Sequence, residues 1–308
     1  MKTSSTWPAL SYEGWSATCD TLHALTQIPG KLAVELAPPA PQLQHAALRL
    51  TPRGWETQAL PAPDGSGAIV AGLDLRTHEA LIEHSDGRET RIPLTPHRPV
   101  ADVTREVLDA VERLGGRVEI NPTPQETFWD IPLDEDREHS TYEADQVDSY
   151  FAAATQAALA LAEFRAPYRG RSTPVNAWWG TFDLAVSFYS GTAVDPPTDD
   201  FIMRNSGDAE QIGIGWWPGD QKYGKAAFFA LAYPTRDGFS EADLDPAPAH
   251  WDADLGEFVL DWDDIRSETD PRGLAVEFAQ SAFQHACAVC EWDPVLAGSA
   301  RGTPPPVH

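Results

Sequence analysis

Basic residues are scarce in this chain. Lys and Arg together number 22 against 47 Asp and Glu, which gives a formal net charge of −25. A surface this acidic offers no basic patch for a phosphate backbone, and an anionic membrane repels it. Nucleic-acid binding and membrane association are therefore not expected.

Cysteine is scarce as well, with three residues, Cys19, Cys287 and Cys290. A small odd number argues against a disulfide framework and favours a reducing compartment. Cys287 and Cys290 form a C-x-x-C pair, but they fall at the C-terminal end of a predicted helix, where the helix dipole disfavours a thiolate. A zinc site would need two more ligands, and only His285 is near in sequence. We expect two buried thiols and no cofactor.

Long apolar runs are missing. Residues 226–233 are typical of the longest runs, which fall far short of the ~20 residues of a membrane-spanning helix. Residues 1–10 lack the charged and then apolar stretch of a secretion signal. With 42% hydrophobic and 22% charged residues, the composition is that of an ordinary globular protein. We expect a cytoplasmic protein, and no pattern predicts its oligomeric state.

Common catalytic and nucleotide-binding motifs are absent. No G-x-S-x-G, H-E-x-x-H or G-x-G-x-x-G occurs in a suitable context. Residues 219–225, GDQKYGK, have the spacing of a phosphate-binding loop. Ala226 then stands where a Ser or Thr would bind magnesium, and the next residues form a strand pattern instead of a helix. We interpret this segment as a hairpin loop.

Hydrophobic periodicity predicts a helix, an antiparallel meander and a second helix in the first half of the chain. The first helix is predicted over 11–28, because apolar residues recur at helical spacing and Pro29-Gly30 provides a stop. Short segments between 31 and 94, separated by Pro and Gly turns, are typical of antiparallel strands. The second helix is predicted over 100–114 from a stripe of valines and leucine: Val103, Val107, Val111 and Leu114.

The second half repeats this order. A helix is predicted over 140–165, then several strands, and then a last helix with Asp270 as its cap and Pro271 as its first residue. The absence of alternating βαβ units disfavours Rossmann and barrel folds. We therefore predict an α+β fold with antiparallel sheets covered by helices. Two tandem helix–meander–helix units are our hypothesis for its architecture.

Charge divides unevenly about a proline-broken stretch at 121–125. Residues 1–125 carry 15 acidic and 11 basic side chains, net −4, whereas 126–308 carry 32 and 11, net −21. This asymmetry predicts an N-terminal α+β unit over 1–125 and a C-terminal unit with an aromatic-rich sheet over 126–297. Residues 298–308 contain three successive prolines and are predicted to form a disordered tail.

Short motifs occur along most of the chain: WPALSY at 7–12, CDTLH at 19–23, TQIPGK at 26–31, FRA at 164–166, PVNAWWG at 174–180, FDLAV at 182–186 and LGEF at 255–258. Taken together, they resemble a bacterial family catalogued as domain of unknown function 5996. The resemblance extends from about Trp7 to Trp292. It implies a single-family protein and assigns no activity, cofactor or partner.

The segment 134–139, DEDREH, places four acidic side chains and an imidazole before a predicted helix. Such a cluster could hold a hard cation or provide an acid–base pair. Acidic residues at this position also stabilise the helix dipole and need no other role. We retain His139 as a candidate polar group and assign no metal. His23, a single histidine at the edge of an apolar stripe, is interpreted as a packed or capping residue.

Aromatic side chains are concentrated on the predicted strands after residue 170. Because alternate residues of a strand share a face, Asn176 and Trp178 should point to one side of the sheet and Trp179 to the other. Trp216, Trp217, Phe228 and Phe229 lie on neighbouring predicted strands. Large aromatic side chains build cores as well as ligand pockets, so this pattern has both interpretations.

Three functions remain open at this point. The leading hypothesis is binding of a small neutral or cationic organic molecule in an aromatic-lined cleft of the C-terminal half. The ligand-binding residues would be His139, Asn176, Trp178, Trp179, Asp183 and Trp217. The first alternative is an enzyme, hydrolytic in our interpretation, that uses His139 with Asp183 or with the acidic cluster. The second alternative is a protein-interaction module with exposed aromatic side chains.

Overall fold

The computed structural model describes residues 6–299, which form two compact units whose segments alternate along the chain. The N-terminal unit contains Tyr12–Phe151 and Asn176–Asp183. The C-terminal unit contains the residues up to Ser11, Ala152–Val175 and the residues from Leu184 onward. Among the described residues, no helix is both long and apolar enough to cross a lipid bilayer.

The first helix, α1 (Tyr12–Leu36), continues through Pro29 and Gly30. The expectation that this dipeptide ends the helix, and that a strand follows, is wrong. A proline inside a helix removes a backbone hydrogen bond and clashes with the preceding turn. Here 16 of the 25 helix residues are buried, so tertiary packing offsets that local penalty.

The sheet of the N-terminal unit is antiparallel. Its strands are β1 (Arg49–Leu50), β2 (Gly54–Glu56), β3 (Leu60–Pro61), β4 (Ala68–Asp74), β5 (Glu79–His84) and β6 (Glu89–Pro93). The order is β1-β2-β4-β5-β6, with β3 paired to β4. Helix α2 (Val100–Gly115) covers β4, β5 and β6 with its predicted apolar stripe, and it also contacts α1. A short strand, β8 (Asn176–Trp178), joins this unit through a bridge between Leu48 and Ala177.

A long connection leads from α2 to α3 (Ala144–Arg165). Within residues 116–143, which we call the connecting segment, the structure has neither helix nor strand. Loops of this length inside a compact unit are uncommon and are often functional. Helix α3 begins at Ala144 instead of the predicted residue 140.

The C-terminal unit has the second antiparallel sheet, built from β7 (Arg171–Ser172), β9 (Asp183–Ala193), β10 (Ala209–Trp217), β11 (Ala227–Tyr233), β12 (His250–Asp252) and β13 (Glu257–Asp261). The order is β12-β13-β11-β10-β9-β7. Short helices α4 (Phe201–Ser206) and α5 (Trp262–Ile265) follow β9 and β13. The segment 219–225 connects β10 to β11 as a loop, as predicted.

Helix α6 (Pro271–Val289) packs on β10, β11 and β13. The predicted cap is confirmed, since the Asp270 carboxylate accepts a hydrogen bond from the backbone N–H of Gly273 at 2.9 Å. The last described helix is α7 (Pro294–Ser299). The predicted tail over 298–308 lies outside the described residues except for Gly298 and Ser299, at the end of α7.

The predicted α+β class, with antiparallel sheets and covering helices, is confirmed. The element order also repeats as helix, strands and helix: α1, β1–β6 and α2, and then α3, β7–β13 and α6. A duplication of one ancestral unit stays a hypothesis. The predicted boundary at residue 125 falls inside the N-terminal unit, which continues to Phe151 and takes in Asn176–Asp183.

Candidate functional site

Three polar side chains, His23, Gln27 and Lys31, recur every four residues along α1 and therefore share one face. Gln27 Nε2 donates to the carbonyl oxygens of Trp179 at 2.9 Å and Gln125 at 3.1 Å. Gln27 Oε1 accepts from the backbone N–H of Gln125 at 3.1 Å. This polar face of α1 holds the connecting segment and the residues after β8 in place.

Lys31 lies at the end of this face and is buried. Its Nζ donates to the carbonyl oxygen of Thr123 at 2.6 Å and lies 5.4 Å from the ring centroid of Trp179. Burial lowers the pKa of Lys31 to about 8, and the exposed carboxylate of Glu35 opposes that shift. Lys31 thus fixes the start of the connecting segment against α1.

His23 is held in one tautomer by two backbone carbonyls. Its Nε2 lies 2.8 Å from the oxygen of Gly180 and 3.1 Å from that of Trp179. Carbonyl oxygens only accept, so Nε2 carries the hydrogen and Nδ1 is left as an acceptor. Burial lowers the pKa of His23 to about 4, against the opposing effect of the two carbonyls, so the ring is neutral near pH 7.

His139 forms a pair with Asp136. The imidazole Nδ1 lies 2.7 Å from Oδ2 of this fully buried carboxylate, and Oδ1 accepts from the backbone N–H groups of Glu138 and His139 at 3.0 Å each. Because the carboxylate accepts, Nδ1 carries the hydrogen and Nε2 is an acceptor. Nε2 has no hydrogen-bond partner within residues 6–299, and the side chain is 16% exposed.

Trp129 contacts both imidazoles. Its ring centroid is 4.5 Å from that of His139 and 5.4 Å from that of His23, which it meets edge-on. Its Nε1–H is buried and finds no acceptor in the described part of the chain. Buried donors without a partner are rare in native proteins. We refer to His23, Trp129, Asp136 and His139 as the imidazole cluster.

Phe182 packs against the cluster through His23. Its ring stacks on His23 at 5.1 Å, on Tyr150 at 5.2 Å and on Trp55 at 5.3 Å. The backbone of Phe182 has φ of +57°, which is a strained conformation for a bulky residue. Stacking on three rings is the packing that holds this strained turn.

The surface beside the cluster is acidic. Five exposed carboxylates come from the same connecting segment as Trp129 and His139: Glu126, Asp130, Asp134, Glu135 and Glu138. Arg137 is the one basic residue between 126 and 139. We call these five carboxylates the acidic rim. They would repel an anionic ligand and attract a cation.

A second histidine–carboxylate pair in the same unit differs from the first in the exposure of its carboxylate and in the contacts of both ring nitrogens. His84 Nδ1 lies 2.9 Å from Oδ1 of Asp86, but its Nε2 also contacts the Ser66 hydroxyl at 3.2 Å. Both ring nitrogens of His84 are thus occupied by the protein. This pair serves as a control for His139, because its Nε2 already has a protein partner.

The model for the family described as "Family of unknown function (DUF5996)" matches residues 7–297. The chain belongs to this family. The resemblance that the sequence motifs indicate is therefore confirmed. No curated protein and no solved structure matches the chain, so membership in the DUF5996 family brings no activity with it.

Of the residues predicted for a site in this DUF5996 chain, the structure connects two. His139 contacts Trp129, Trp129 contacts His23, and His23 donates to the backbone carbonyl of Trp179. The Trp179 side chain itself is buried in the N-terminal unit, where its Nε1 donates to the carbonyl of Ala46 at 3.1 Å. The sequence offers two carboxylate partners for His139, namely Asp183 and the acidic cluster at 134–139. In the structure His139 pairs with Asp136 of that cluster.

Asn176, Trp178 and Asp183 lie elsewhere in the N-terminal unit. Asn176 is fully buried, donates to Gln44 Oε1 at 2.9 Å and accepts from Arg49. Trp178 is half-buried. Asp183 is buried and accepts from the Thr181 hydroxyl, and burial raises its pKa to about 7. Their roles in ligand binding stay predictions.

Trp217 belongs to the C-terminal unit. It is buried and packs on Tyr223 at 5.3 Å and Phe229 at 5.4 Å between ring centroids. The thiols of this unit are also packed inside: burial raises the pKa of Cys287 to about 12. Among the described residues, no group of three His, Cys, Asp or Glu side chains is arranged to hold a metal ion.

Sequence reasoning missed His23 and Trp129 as members of a site. A signal for His23 exists in the sequence, because polar residues recur every four positions at 23, 27 and 31 within a mostly apolar stretch of the helix. Trp129 has no such signal, since it stands in a segment without periodicity. The spacing of Asp136 and His139, three residues apart in a turn, could have indicated their pairing.

Proposed function

We propose that this protein binds a small organic molecule at the imidazole cluster. The observation that carries the proposal is the His139–Asp136 pair, which leaves Nε2 of a partly exposed imidazole as an acceptor without a partner in the described protein. Aromatic walls with a few fixed polar groups are typical of small-molecule sites. Trp129 and His23 supply those walls, and the acidic rim favours a neutral or cationic ligand.

Acid–base catalysis is the second candidate, and the same pair favours it. A buried carboxylate that orients an imidazole is the arrangement by which enzymes keep a histidine ready to accept a proton. His139 would take a proton on Nε2 from a bound hydroxyl group or water. Asp136 would stabilise the resulting imidazolium through the 2.7 Å contact.

Binding can be tested with 15N-labelled protein, in which each of the 11 tryptophans gives an indole N–H signal. Trp129→Phe identifies the signal of Trp129. We expect neutral aromatic fragments such as phenol, benzamide and aniline to shift this signal, and His139→Phe to weaken the shift. His84→Phe is the control and should leave it unchanged. Shifts that persist in His139→Phe, or no shift with any fragment, would contradict the proposal.

Catalysis can be tested with p-nitrophenyl acetate as a hydrolysis probe. We expect the rate to fall at least tenfold in His139→Phe and to stay unchanged in His84→Phe, because Nε2 of His139 has no partner within residues 6–299 whereas Nε2 of His84 contacts the Ser66 hydroxyl. Equal rates in the wild-type protein and both variants would remove the catalytic candidate and leave the binding proposal standing.

A further inference from the structure

We infer that the imidazole cluster selects planar cations that carry N–H donors on more than one edge, the chemistry of an amidinium or a guanidinium group. This inference rests on the proposed binding function and specifies its ligand class. It follows from the hydrogen-bonding polarity of the two histidines, from the indole that contacts both of them and from the exposed carboxylates of the connecting segment.

The first step concerns polarity. Both histidines are fixed in tautomers that turn an acceptor nitrogen away from their protein partners: Nδ1 of His23, because Nε2–H is held by two carbonyls, and Nε2 of His139, because Nδ1–H is held by Asp136. Two acceptors whose rings both contact one indole match a ligand with more than one N–H donor. A ligand whose polar groups are only acceptors would meet the lone pairs of His23 Nδ1 and His139 Nε2 and could form no hydrogen bond with either nitrogen.

The second step concerns shape and charge. Both imidazole centroids lie within 5.4 Å of the Trp129 centroid, so a flat group can stack on aromatic surface while its edges reach the nitrogens. Indole is the best aromatic partner for a cation. The exposed carboxylates of the connecting segment add a long-range attraction for positive charge.

The third step assigns a positioning residue. Asp136 does not need to touch the ligand, because it acts by fixing the tautomer of His139. In Asp136→Asn, the amide oxygen is retained by the backbone N–H groups of Glu138 and His139, which can only donate. The amide N–H would then face Nδ1 of His139, so the ring hydrogen moves to Nε2 and the free nitrogen becomes a donor.

The experiment compares three probes of equal shape, namely benzamidine, benzamide and benzoate, by titration calorimetry and by the Trp129 indole signal. For the wild-type protein we expect benzamidine to bind at least about tenfold more tightly than benzamide, and benzoate not to bind, because hydrogen bonds to charged groups are the stronger ones. In Asp136→Asn, benzamidine should lose about tenfold or more and benzoate should gain. Asp86→Asn, in the pair with His84, should change neither.

Each outcome separates the two claims. Benzamide binding as tightly as benzamidine, with both lost in His139→Phe, would overturn the ligand class and leave the binding function intact. Unchanged probe preference in an Asp136→Asn protein that melts as cooperatively as the wild type would overturn the positioning role and with it this inference. No binding by any of the probes, together with no response to the neutral fragments above, would overturn both.

Discussion

His23 shows how burial controls the protonation of a single side chain. Its pKa in the folded protein is about 4, against 6.5 in the unfolded chain. Between these values the unfolded state binds a proton that the folded state refuses, so stability is lost as pH falls from 6.5 towards 4. Above pH 6.5 the contribution of the neutral ring is fully present.

We expect His23→Gln to flatten this part of the stability curve. Gln keeps an N–H donor for the carbonyls of Gly180 and Trp179 but has no proton to bind. The difference in unfolding free energy between pH 7.5 and pH 4.5 should shrink by about 2 kcal/mol relative to wild type, as measured by urea denaturation. His250→Gln, at an exposed position, is the control. Parallel curves for wild type and His23→Gln would show that the ring titrates normally.

Asp183 should produce the opposite slope. Burial raises its folded pKa to about 7 from 3.8, so the folded protein holds a proton that the unfolded chain releases, and stability is lost as pH rises from about 4 through 7. We expect Asp183→Asn to stabilise the protein more at pH 8 than at pH 4, by a difference on the order of 3 kcal/mol. Asp243→Asn, an exposed carboxylate, should show no such difference in the same denaturation series.

At the scale of elements, α1 depends on a close approach of Trp179 to Gly30. A Cβ built on Gly30 would lie 2.2 Å from the ring of Trp179, whereas a Cβ on Gly14 of the same helix meets nothing within 4 Å. Alanine substitutions at the two glycines therefore distinguish the effect of helix propensity from the effect of packing. Local preference favours alanine at both positions.

We expect Gly30→Ala to lower the unfolding free energy by about 2 kcal/mol or more, because Trp179 must move and a filled core resists added volume. Gly14→Ala should be neutral or raise stability by up to about 1 kcal/mol. Thermal melts of both variants provide the measurement. A stabilised Gly30→Ala protein would mean that α1 and Trp179 do not pack as described.

Sequence patterns predicted the elements that are determined by neighbouring residues in the chain. The apolar stripe of α2 and the cap at Asp270 follow from side-chain spacing and are present. The passage of α1 through Pro29 and Gly30 could not be predicted, because its cause is burial by distant residues. The site divides in the same way: Asp136 and His139 are sequence neighbours, whereas Trp129 reaches His23 from more than 100 residues away.

At the scale of the whole molecule, the N-terminal unit depends on residues beyond 125. Trp55 Nε1 donates to Tyr150 Oη at 3.1 Å, and the buried pair of Leu48 and Ala177 bridges strands from separate parts of the chain. These contacts are absent from a fragment that ends at 125, and buried groups that lose their partners are costly.

We therefore expect residues 1–125, expressed alone, to lack a cooperative thermal transition and dispersed amide signals in NMR spectra. Mixing with residues 126–308 should restore both, because the second fragment supplies Tyr150 and Ala177. A fragment 1–125 that folds cooperatively by itself would support the domain boundary drawn from charge and proline pattern.

Ligand binding at the imidazole cluster depends on which nitrogen of His139 carries the hydrogen. The most direct measurement is the 15N spectrum of the imidazole of His139 near pH 7.5, assigned through His139→Phe. We predict a hydrogen on Nδ1 and a pyridine-like signal from Nε2, with the two exchanged in Asp136→Asn. A pyridine-like Nδ1 in the wild-type protein would contradict the account, since His139 would then present a donor where a ligand acceptor is proposed.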